Sequence, residues 1–213
     1  MSQSLDISID VPNGQLYGTL AVPREATGIV VFAHGSGSSR FSPRNQDVAD
    51  ALQQAGFATL LFDLLTESEE VVDRRTRKHR FDIPLLGQRM VIVMDWLDRQ
   101  PDAMSLPVGV FGASTGAAAA LIAAAERPAI RAVVSRGGRP DLAGDALDRV
   151  KAPTLLIVGG LDTAVIEMNR SAQARLTGQS DLVIIPGATH LFEEPGTMEQ
   201  VIDHAIAWFR RYL

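Results

Sequence analysis

"VGVFGASTGAAAALIAAA", residues 108–125, belongs to an uncharged run that starts at residue 103 and is long enough to cross a bilayer, which takes about 20 apolar residues. Proline and glycine interrupt this run, and both residue types disfavour a continuous helix. The interruptions are Pro107, Gly109, Gly112 and Gly116. The stretch therefore divides into a β-branched strand, VGVF, and an alanine-rich helix, which predicts a strand-turn-helix unit of a globular fold.

The turn between strand and helix reads GASTG and fits the pattern G-x-S-x-G, with Ser114 at its centre. In this setting the pattern holds a strained, exposed serine nucleophile. We expect a Cβ atom at position 112 or 116 to collide with the neighbouring strand or helix, which Gly112 and Gly116 avoid. The alternative is a tight turn without chemistry, because the motif is short and glycine makes up 18 of the 213 residues.

Apolar runs and helical patterns alternate along the rest of the chain. Residues 4–10 and the run GQLYGTLAVP flank the turn signal Asn13-Gly14, which predicts an antiparallel hairpin. From residue 28 onward, unbroken β-branched runs indicate strands covered on both faces, as in a parallel sheet. The alternation predicts an α/β fold with a doubly wound, mostly parallel sheet. The predicted helices cover residues 44–55, 84–99, 115–126, 164–177 and 197–212.

The composition is that of a globular protein, with 46% hydrophobic and 21% charged residues. We expect a single domain over residues 1–213, because no repeat or low-complexity linker divides the chain. The net charge of −5 argues against general affinity for nucleic acid. The absence of cysteine excludes a thiol nucleophile and fits a reducing cytoplasm, and the N-terminus does not resemble a signal peptide. We expect a cytoplasmic monomer or homodimer without membrane partners.

A serine hydroxyl needs a base to take its proton, and that base needs an acid to orient it. His190 follows the last apolar run, whereas His34, His79 and His204 lie at a strand end, in a charged run and in the last helix. Asp162 directly follows the run PTLLIVGG, so the chain order is Ser, Asp, His. Because ligand sites of such sheets lie beyond the carboxyl ends of the strands, we expect these three residues to meet.

Other roles remain open for the acidic residues of this region. Asp162 could instead cap the helix that begins near Thr163. Asp141, Asp145 and Asp148 follow a different strand, and their spacing is typical of cap and surface positions.

Negative charge on a tetrahedral intermediate requires hydrogen-bond donors that are in place beforehand. The amide of Thr115, next to the serine, is one candidate donor. The loop HGSGSSR should supply the second, which we assign to the amide of Ser36, with Gly35 and Gly37 as neighbouring substrate contacts. The Thr115 side chain receives no role. The alternative is a glycine-rich turn without a ligand.

The segments HGSGSS, GASTG, GGLD and GATHLF, in this order, resemble the α/β-hydrolases, and specifically members of the dienelactone hydrolase type. The resemblance covers roughly residues 14–213. It implies Ser114 as nucleophile, Asp162 as acid, His190 as base and the amides of Ser36 and Thr115 as the oxyanion hole. Dienelactone hydrolases proper use cysteine where this chain has Ser114, which indicates a carboxylesterase cycle on a small-molecule ester, lactone or thioester. We expect no cofactor and no metal site.

The charged segment 66–80 is the predicted cover of the site, because too few residues separate IRAVVS from APTLLIVGG for a large cap domain. Glu70 with Arg74 and Asp73 with Arg77 have the spacing of ion pairs on a solvated helix. Alternatively, arginines of this segment and of the strand ends face the pocket and favour an acidic substrate. These arginines are Arg40, Arg74, Arg75, Arg77, Arg80, Arg136 and Arg139, of which position favours Arg136 and Arg139.

Two other functions fit the same residues. A dinucleotide-binding protein would use Gly35 and Gly37 near a pyrophosphate and Asp63 on a ribose, although Arg40 stands where a third glycine is needed. A hydrolase-fold binding protein or receptor with slow or no turnover would carry the same three residues.

Overall fold

The computed structural model describes residues 3–213, which form an eight-stranded mixed sheet. The strand order in space is β1-β2-β4-β3-β5-β6-β7-β8. The pairs β1–β2 and β2–β4 are antiparallel, and all other pairs are parallel. This confirms the predicted mostly parallel sheet with an antiparallel N-terminal hairpin. The strands are β1 (Gln3–Val11), β2 (Gly14–Val22), β3 (Ile29–Ala33), β4 (Ala58–Phe62), β5 (Val108–Ala113), β6 (Ile130–Arg136), β7 (Thr154–Gly159) and β8 (Ser180–Ile185).

Helices connect the strands and cover both faces of the sheet. They are α1 (Pro43–Gln54), α2 (Glu67–Thr76), α3 (Ile83–Leu97), α4 (Gly116–Glu126), α5 (Thr163–Gln173) and α6 (Thr197–Tyr212), with a 3₁₀ segment at Pro140–Arg149. The predicted helices are all present, with ends shifted by a few residues at most. The connection from β6 to β7 contains only the 3₁₀ segment, so the fold has no large cap domain.

Two apolar layers fix the helices against the sheet: α3 and α4 pack on one face, and α1 and α6 pack on the other. Within α4 the side chains of Ala117, Ala118, Ala119 and Ala120 are fully buried. Methyl side chains let this helix lie close to the sheet and bring its N-terminus directly under Ser114. Over residues 3–213 no helix is long and apolar enough to cross a membrane, and the uncharged run 103–125 contains β5 and α4.

Helix α2 lies in the charged segment 66–80, where the i, i+4 pairs favoured a solvated helix but no helix bounds were predicted. Thr66 caps it: its hydroxyl accepts a hydrogen bond from the Glu69 amide at 3.3 Å, and the Glu69 carboxylate accepts from the Thr66 amide at 2.9 Å. This reciprocal pair is a capping box, whose signature T-x-x-E is present in the sequence. Glu69 is also paired with buried Arg89 on α3 at 2.6 Å, which ties α2 to the fold.

Candidate active site

Ser114 has a backbone φ of +50°, in the left-handed region that residues other than glycine rarely adopt. A Cβ atom at Gly112 would overlap the backbone of Ala117 in α4, and one at Gly116 would overlap the carbonyl oxygen of Ala33 in β3. The steric part of the prediction is therefore confirmed. The turn is also tied to the next strand end, because the Ser114 amide donates to the Arg136 carbonyl at 3.1 Å.

The structure brings Ser114, His190 and Asp162 together in one hydrogen-bonded chain. Nε2 of His190 lies 3.3 Å from Oγ of Ser114, and Nδ1 lies 2.6 Å from Oδ2 of Asp162. A proton on Nδ1 satisfies the carboxylate and leaves the Nε2 lone pair facing the serine hydroxyl. The Asp162 side chain is not used as a helix cap, since it makes no capping hydrogen bond to α5.

Backbone contacts hold the two loops that carry Asp162 and His190 against each other. The Leu161 amide donates to the Ala188 carbonyl at 2.9 Å, beyond the ends of β7 and β8. A Cβ atom at Gly159 would lie 2.5 Å from the carbonyl oxygens of Ala188 and Thr189. Glycine at the end of β7 therefore lets the His190 loop cross close to the sheet.

The loop that follows β3, residues 34–38, lies beside Ser114 and is called the β3 loop below. A Cβ atom at Gly35 would lie 3.1 Å from the Ser114 Cβ. The predicted oxyanion donor, the amide of Ser36, donates to Oγ1 of Thr115 at 2.8 Å. No role was predicted for that hydroxyl, because nothing in the local pattern shows that residue 115 faces residue 36.

His34 supports the β3 loop from beneath. The Nδ1 of its buried ring donates to the Gly35 carbonyl at 2.9 Å, and its Nε2 accepts from the Leu64 amide at 3.0 Å. Burial lowers the pKa of His34, although the hydrogen bond to Gly35 and the charges of Asp63 and Glu70 oppose this. A neutral ring satisfies both contacts, which gives His34 a structural role.

The predicted Asp73–Arg77 pair is wrong. Asp73 is buried and accepts from Nε of Arg80 at 2.5 Å and from the amides of His79 and Arg80 at 2.7 and 2.9 Å. Burial alone would raise the pKa of Asp73, but these hydrogen bonds hold it below its ordinary value. Arg77 instead ends α2 with a φ of +56°. The helix turns Asp73 inward, toward the segment that follows it.

Arg80 brings the charged segment to the site. Its Nη1 would lie 3.0 Å from a Cβ atom at Gly37, so the guanidinium packs directly on the β3 loop. The segment 66–80 thus covers the side of this loop, while the predicted pair Glu70–Arg74 is present on its exposed face at 3.3 Å.

The other candidate arginines differ in their partners. Arg40 is paired with Asp63, which also removes the ribose ligand of the dinucleotide alternative, and Arg139 is paired with Asp141 at 2.8 Å. Arg136 is buried, donates to Oδ1 of Asn45 at 3.3 Å, and has an Nη1 without a hydrogen-bond partner among the described residues. Burial, together with the charge of Arg44, lowers the pKa of Arg136 to about 10.

The remaining candidates lie away from the site. Asp145 and Asp148 bind Arg175, and His204 is exposed on α6. A cavity of about 490 Å³ opens beside the β3 loop; Ser38, Arg40 and Glu67 help to line it, and its wall does not include Ser114 or His190. Within residues 3–213, His, Asp and Glu side chains form no group of three or more suited to a metal ion.

A sequence profile of the dienelactone hydrolase family matches residues 16–212. The chain belongs to this family. It is 60% identical to a solved structure, "Dienelactone hydrolase from Anabaena variabilis ATCC 29413", with a TM-score of 0.97 over 100% of this chain and 99% of that chain. Est1E from Butyrivibrio proteoclasticus is 19% identical, with a TM-score of 0.80 over 97% of this chain and 98% of that chain, which shows a shared fold alone.

Curated relatives of this dienelactone hydrolase family member carry a different name. Two proteins from strains of Mycobacterium tuberculosis, both called "Putative phosphoribosyl transferase", are 63% identical over 197 residues. The match covers 92% of this chain but 44% of each relative. The chain therefore spans less than half the length of these relatives.

Proposed function

We propose that this member of the dienelactone hydrolase family is a serine hydrolase that cleaves small-molecule carboxylic esters, lactones or thioesters through an acyl-enzyme. The observation that carries the proposal is the hydrogen-bonded chain from Asp162 through His190 to Ser114, which ends on a residue with left-handed backbone. A nucleophile, a base within reach of it and an acid orienting that base are what acyl transfer requires.

In the acylation step, His190 Nε2 takes the hydroxyl proton of Ser114 as Oγ forms a bond to the acyl carbon. The carbonyl electron pair moves onto oxygen, where the Thr115 amide at the N-terminus of α4 is placed to donate. The intermediate then collapses: the bond to the leaving oxygen or sulfur breaks, and His190 passes its proton to that atom.

Deacylation repeats these steps with water as the nucleophile. His190 removes a proton from water as it attacks the acyl carbon, and it returns the proton to Ser114 as the acid leaves. Asp162 stays ionised throughout, because its part is to hold the ring and to stabilise the imidazolium that forms twice per cycle.

A fluorophosphonate probe tests this proposal directly. We expect labelling of the wild-type protein and complete loss of labelling in Ser114→Ala, with hydrolysis of p-nitrophenyl acetate falling by at least about 10³-fold. Ser171→Ala is the matched control, since Ser171 is exposed on α5, and it should label as the wild type does.

Equal hydrolysis by wild-type protein and Ser114→Ala would reject the proposal. Labelling without turnover on a panel of esters, lactones and thioesters would favour the alternative of a hydrolase-fold binding protein. His190→Ala should abolish hydrolysis because it removes the base. His204→Ala, which removes an exposed histidine on α6, is its control and should not.

A preference for acidic substrates is a further part of the proposal. Its support is Arg136, a buried guanidinium without a carboxylate partner among the described residues, at the end of the strand next to Ser114. An unpaired buried cation is costly, so an anionic group of the substrate would be favoured there. Arg136→Ala should reduce the preference for carboxylate-bearing over neutral esters, whereas Arg139→Ala should not, because Asp141 already neutralises Arg139. An unchanged preference in both variants would refute the proposed role of Arg136 in binding acidic substrates.

Phosphoribosyl transfer is a second candidate, favoured by the name of relatives that share 63% identity with this chain. Those proteins are more than twice as long as the matched part, so the activity named could belong to the remainder of their length. Incubation with 5-phosphoribosyl 1-diphosphate and a purine or pyrimidine base tests it: release of diphosphate by this chain, unaffected by Ser114→Ala, would favour the transferase over the hydrolase.

A further inference from the structure

The hydroxyl of Thr115 is directed across the site rather than into its own helix. Thr115 is the N-cap residue of α4, yet its side chain makes no capping hydrogen bond. A threonine at this position ordinarily accepts from an amide of the first helical turn. Here the oxygen accepts from the Ser36 amide at 2.8 Å, and the residue is 5% exposed.

This contact occupies the Ser36 amide. An amide carries one hydrogen, and 2.8 Å is the length of a well-formed N–H···O bond. A hydroxyl oxygen that accepts still has a proton of its own to donate. Across residues 3–213, the structure shows Thr115 Oγ1 only as an acceptor, so this proton is available to a ligand.

The β3 loop is fixed on several sides, which keeps the Ser36 amide where it is. The Ser38 amide closes the turn onto the Gly35 carbonyl at 3.1 Å, and the His34 ring donates to the same carbonyl. Gly37 has a φ of +72° and lies against Arg80. Turning the Ser36 peptide toward a substrate would disturb these contacts, whereas turning the Thr115 O–H bond would not.

We propose that the second donor to the oxyanion is the Thr115 hydroxyl, with the Ser36 amide bound behind it, rather than the Ser36 amide itself. The inference rests on the proposed hydrolase function. When Ser114 attacks, the electron pair of the carbonyl moves onto oxygen, which then accepts hydrogen bonds from both N–H and O–H of Thr115. No covalent bond of Thr115 breaks. The hydrogen bond from Ser36 polarises the hydroxyl and makes it a stronger donor.

Thr115→Val separates the two arrangements, because valine has the shape of threonine, lacks the hydroxyl and releases the Ser36 amide. If the hydroxyl is the donor, kcat for p-nitrophenyl acetate falls by about 10²-fold, the effect of removing one oxyanion donor, while KM changes little. Thr115→Ser keeps the hydroxyl and should stay within a few-fold of wild type. A Thr115→Val enzyme as active as wild type, or more active, would overturn the inference in favour of the Ser36 amide.

Affinity for phenylboronic acid, which forms a tetrahedral adduct with an active serine, gives a second readout. We expect the inhibition constant in Thr115→Val to rise in proportion to the loss of kcat/KM, which a merely structural effect would not produce. Should the valine variant fail to fold, as judged by circular dichroism, the pair Thr115→Ala and Thr115→Ser makes the same comparison.

Ser114→Ala distinguishes failure of the proposed hydrolase function from failure of the proposed role of the Thr115 hydroxyl. If hydrolysis depends on Ser114 and Thr115→Val matches wild type, only the role of the Thr115 hydroxyl fails. If hydrolysis does not depend on Ser114, the proposed function itself fails.

Discussion

The turn at residues 112–116 and the β3 loop face each other across the site, but different forces hold them. The turn is shaped by backbone packing: Gly112 and Gly116 touch main-chain atoms of α4 and β3. The β3 loop is held by polar side chains, namely His34, Thr115 and Arg80 with its partner Asp73. Steric constraint depends on shape alone, whereas polar constraint depends on protonation and on single hydrogen bonds.

The two regions are therefore vulnerable to different kinds of substitution. The turn should be destabilised by a substitution that changes side-chain size, and its stability should not depend on pH. Loss of one polar group should loosen the β3 loop without altering the sheet. Four substitutions test this contrast through the free energy of unfolding, and their expected effect decreases from Gly116→Ala to His34→Gln.

Gly116→Ala should have the largest effect, a loss of about 3 kcal/mol or more, because the new methyl group would overlap the Ala33 carbonyl and backbone cannot yield as a side chain can. Gly196→Ala is the control: Gly196 has left-handed backbone with a φ of +79° and no atom within 4 Å of an added Cβ, so only backbone strain of about 1 kcal/mol is expected. Urea unfolding measures both. Equal losses would mean that the turn is held by something other than close packing.

Asp73→Ala should cost about 2–3 kcal/mol, because it leaves the His79 amide and Nε of Arg80 without their acceptor. It should also lower ester hydrolysis by releasing Arg80 from the β3 loop. The pKa of Asp73 lies below its ordinary 3.8, so its stabilisation is present above pH 3.8 and is lost as the pH falls through the folded-state value.

Thermal unfolding as a function of pH tests this, with Asp203→Ala on the exposed face of α6 as the control. The Asp73 contact would be excluded as a support of the loop if both variants unfolded alike and retained wild-type activity.

Arg136→Met should stabilise the protein by up to about 2 kcal/mol. Arg136 contacts the turn, since its carbonyl accepts a hydrogen bond from the Ser114 amide. Unlike the glycines of the turn, it has a charged side chain. Lowering its pKa from its ordinary value to about 10 corresponds to a folded-state penalty of roughly 3 kcal/mol at most. Arg139→Met removes an already paired arginine and should change stability little. A destabilised Arg136→Met protein would show that packing of the guanidinium outweighs its charge.

His34→Gln should have the smallest effect, and a pH-dependent one. The pKa of His34 is below 6.5 in the folded protein, so its stabilisation is complete above pH 6.5 and declines as the pH falls from 6.5 toward the folded-state pKa. The decline should reach about 1 kcal/mol per pH unit and disappear in His34→Gln. His204→Gln, on exposed α6, should retain it. Parallel pH profiles for wild type and His34→Gln would contradict the buried neutral ring.

The sequence predicted the parts of the fold that local pattern controls. Apolar period and strand-helix alternation indicated the sheet. The positions of Ser114, Asp162 and His190 after β5, β7 and β8 indicated which residues meet. The i, i+4 charge pairs of segment 66–80 favoured a solvated helix there, but the bounds of α2 were not predicted, although the capping-box residues Thr66 and Glu69 are visible in the sequence. The Asp73–Arg77 pair was wrong because i, i+4 spacing shows which residues can meet on a helix, not which face is buried.

The sequence alone was enough to predict the strand-turn-helix unit around Ser114, since a β-branched run, the turn GASTG and an alanine-rich run follow each other directly. Gly112 avoids Ala117, only five residues away, whereas the contact of Gly116 with Ala33 is already tertiary. What holds the β3 loop followed only from the tertiary structure, because its partners Leu64, Arg80 and Thr115 belong to three separate segments. A hydrogen bond between distant segments depends on angstrom-level placement of both ends, which no local pattern records. The same reason explains why the Thr115 amide could be predicted and the direction of its hydroxyl could not.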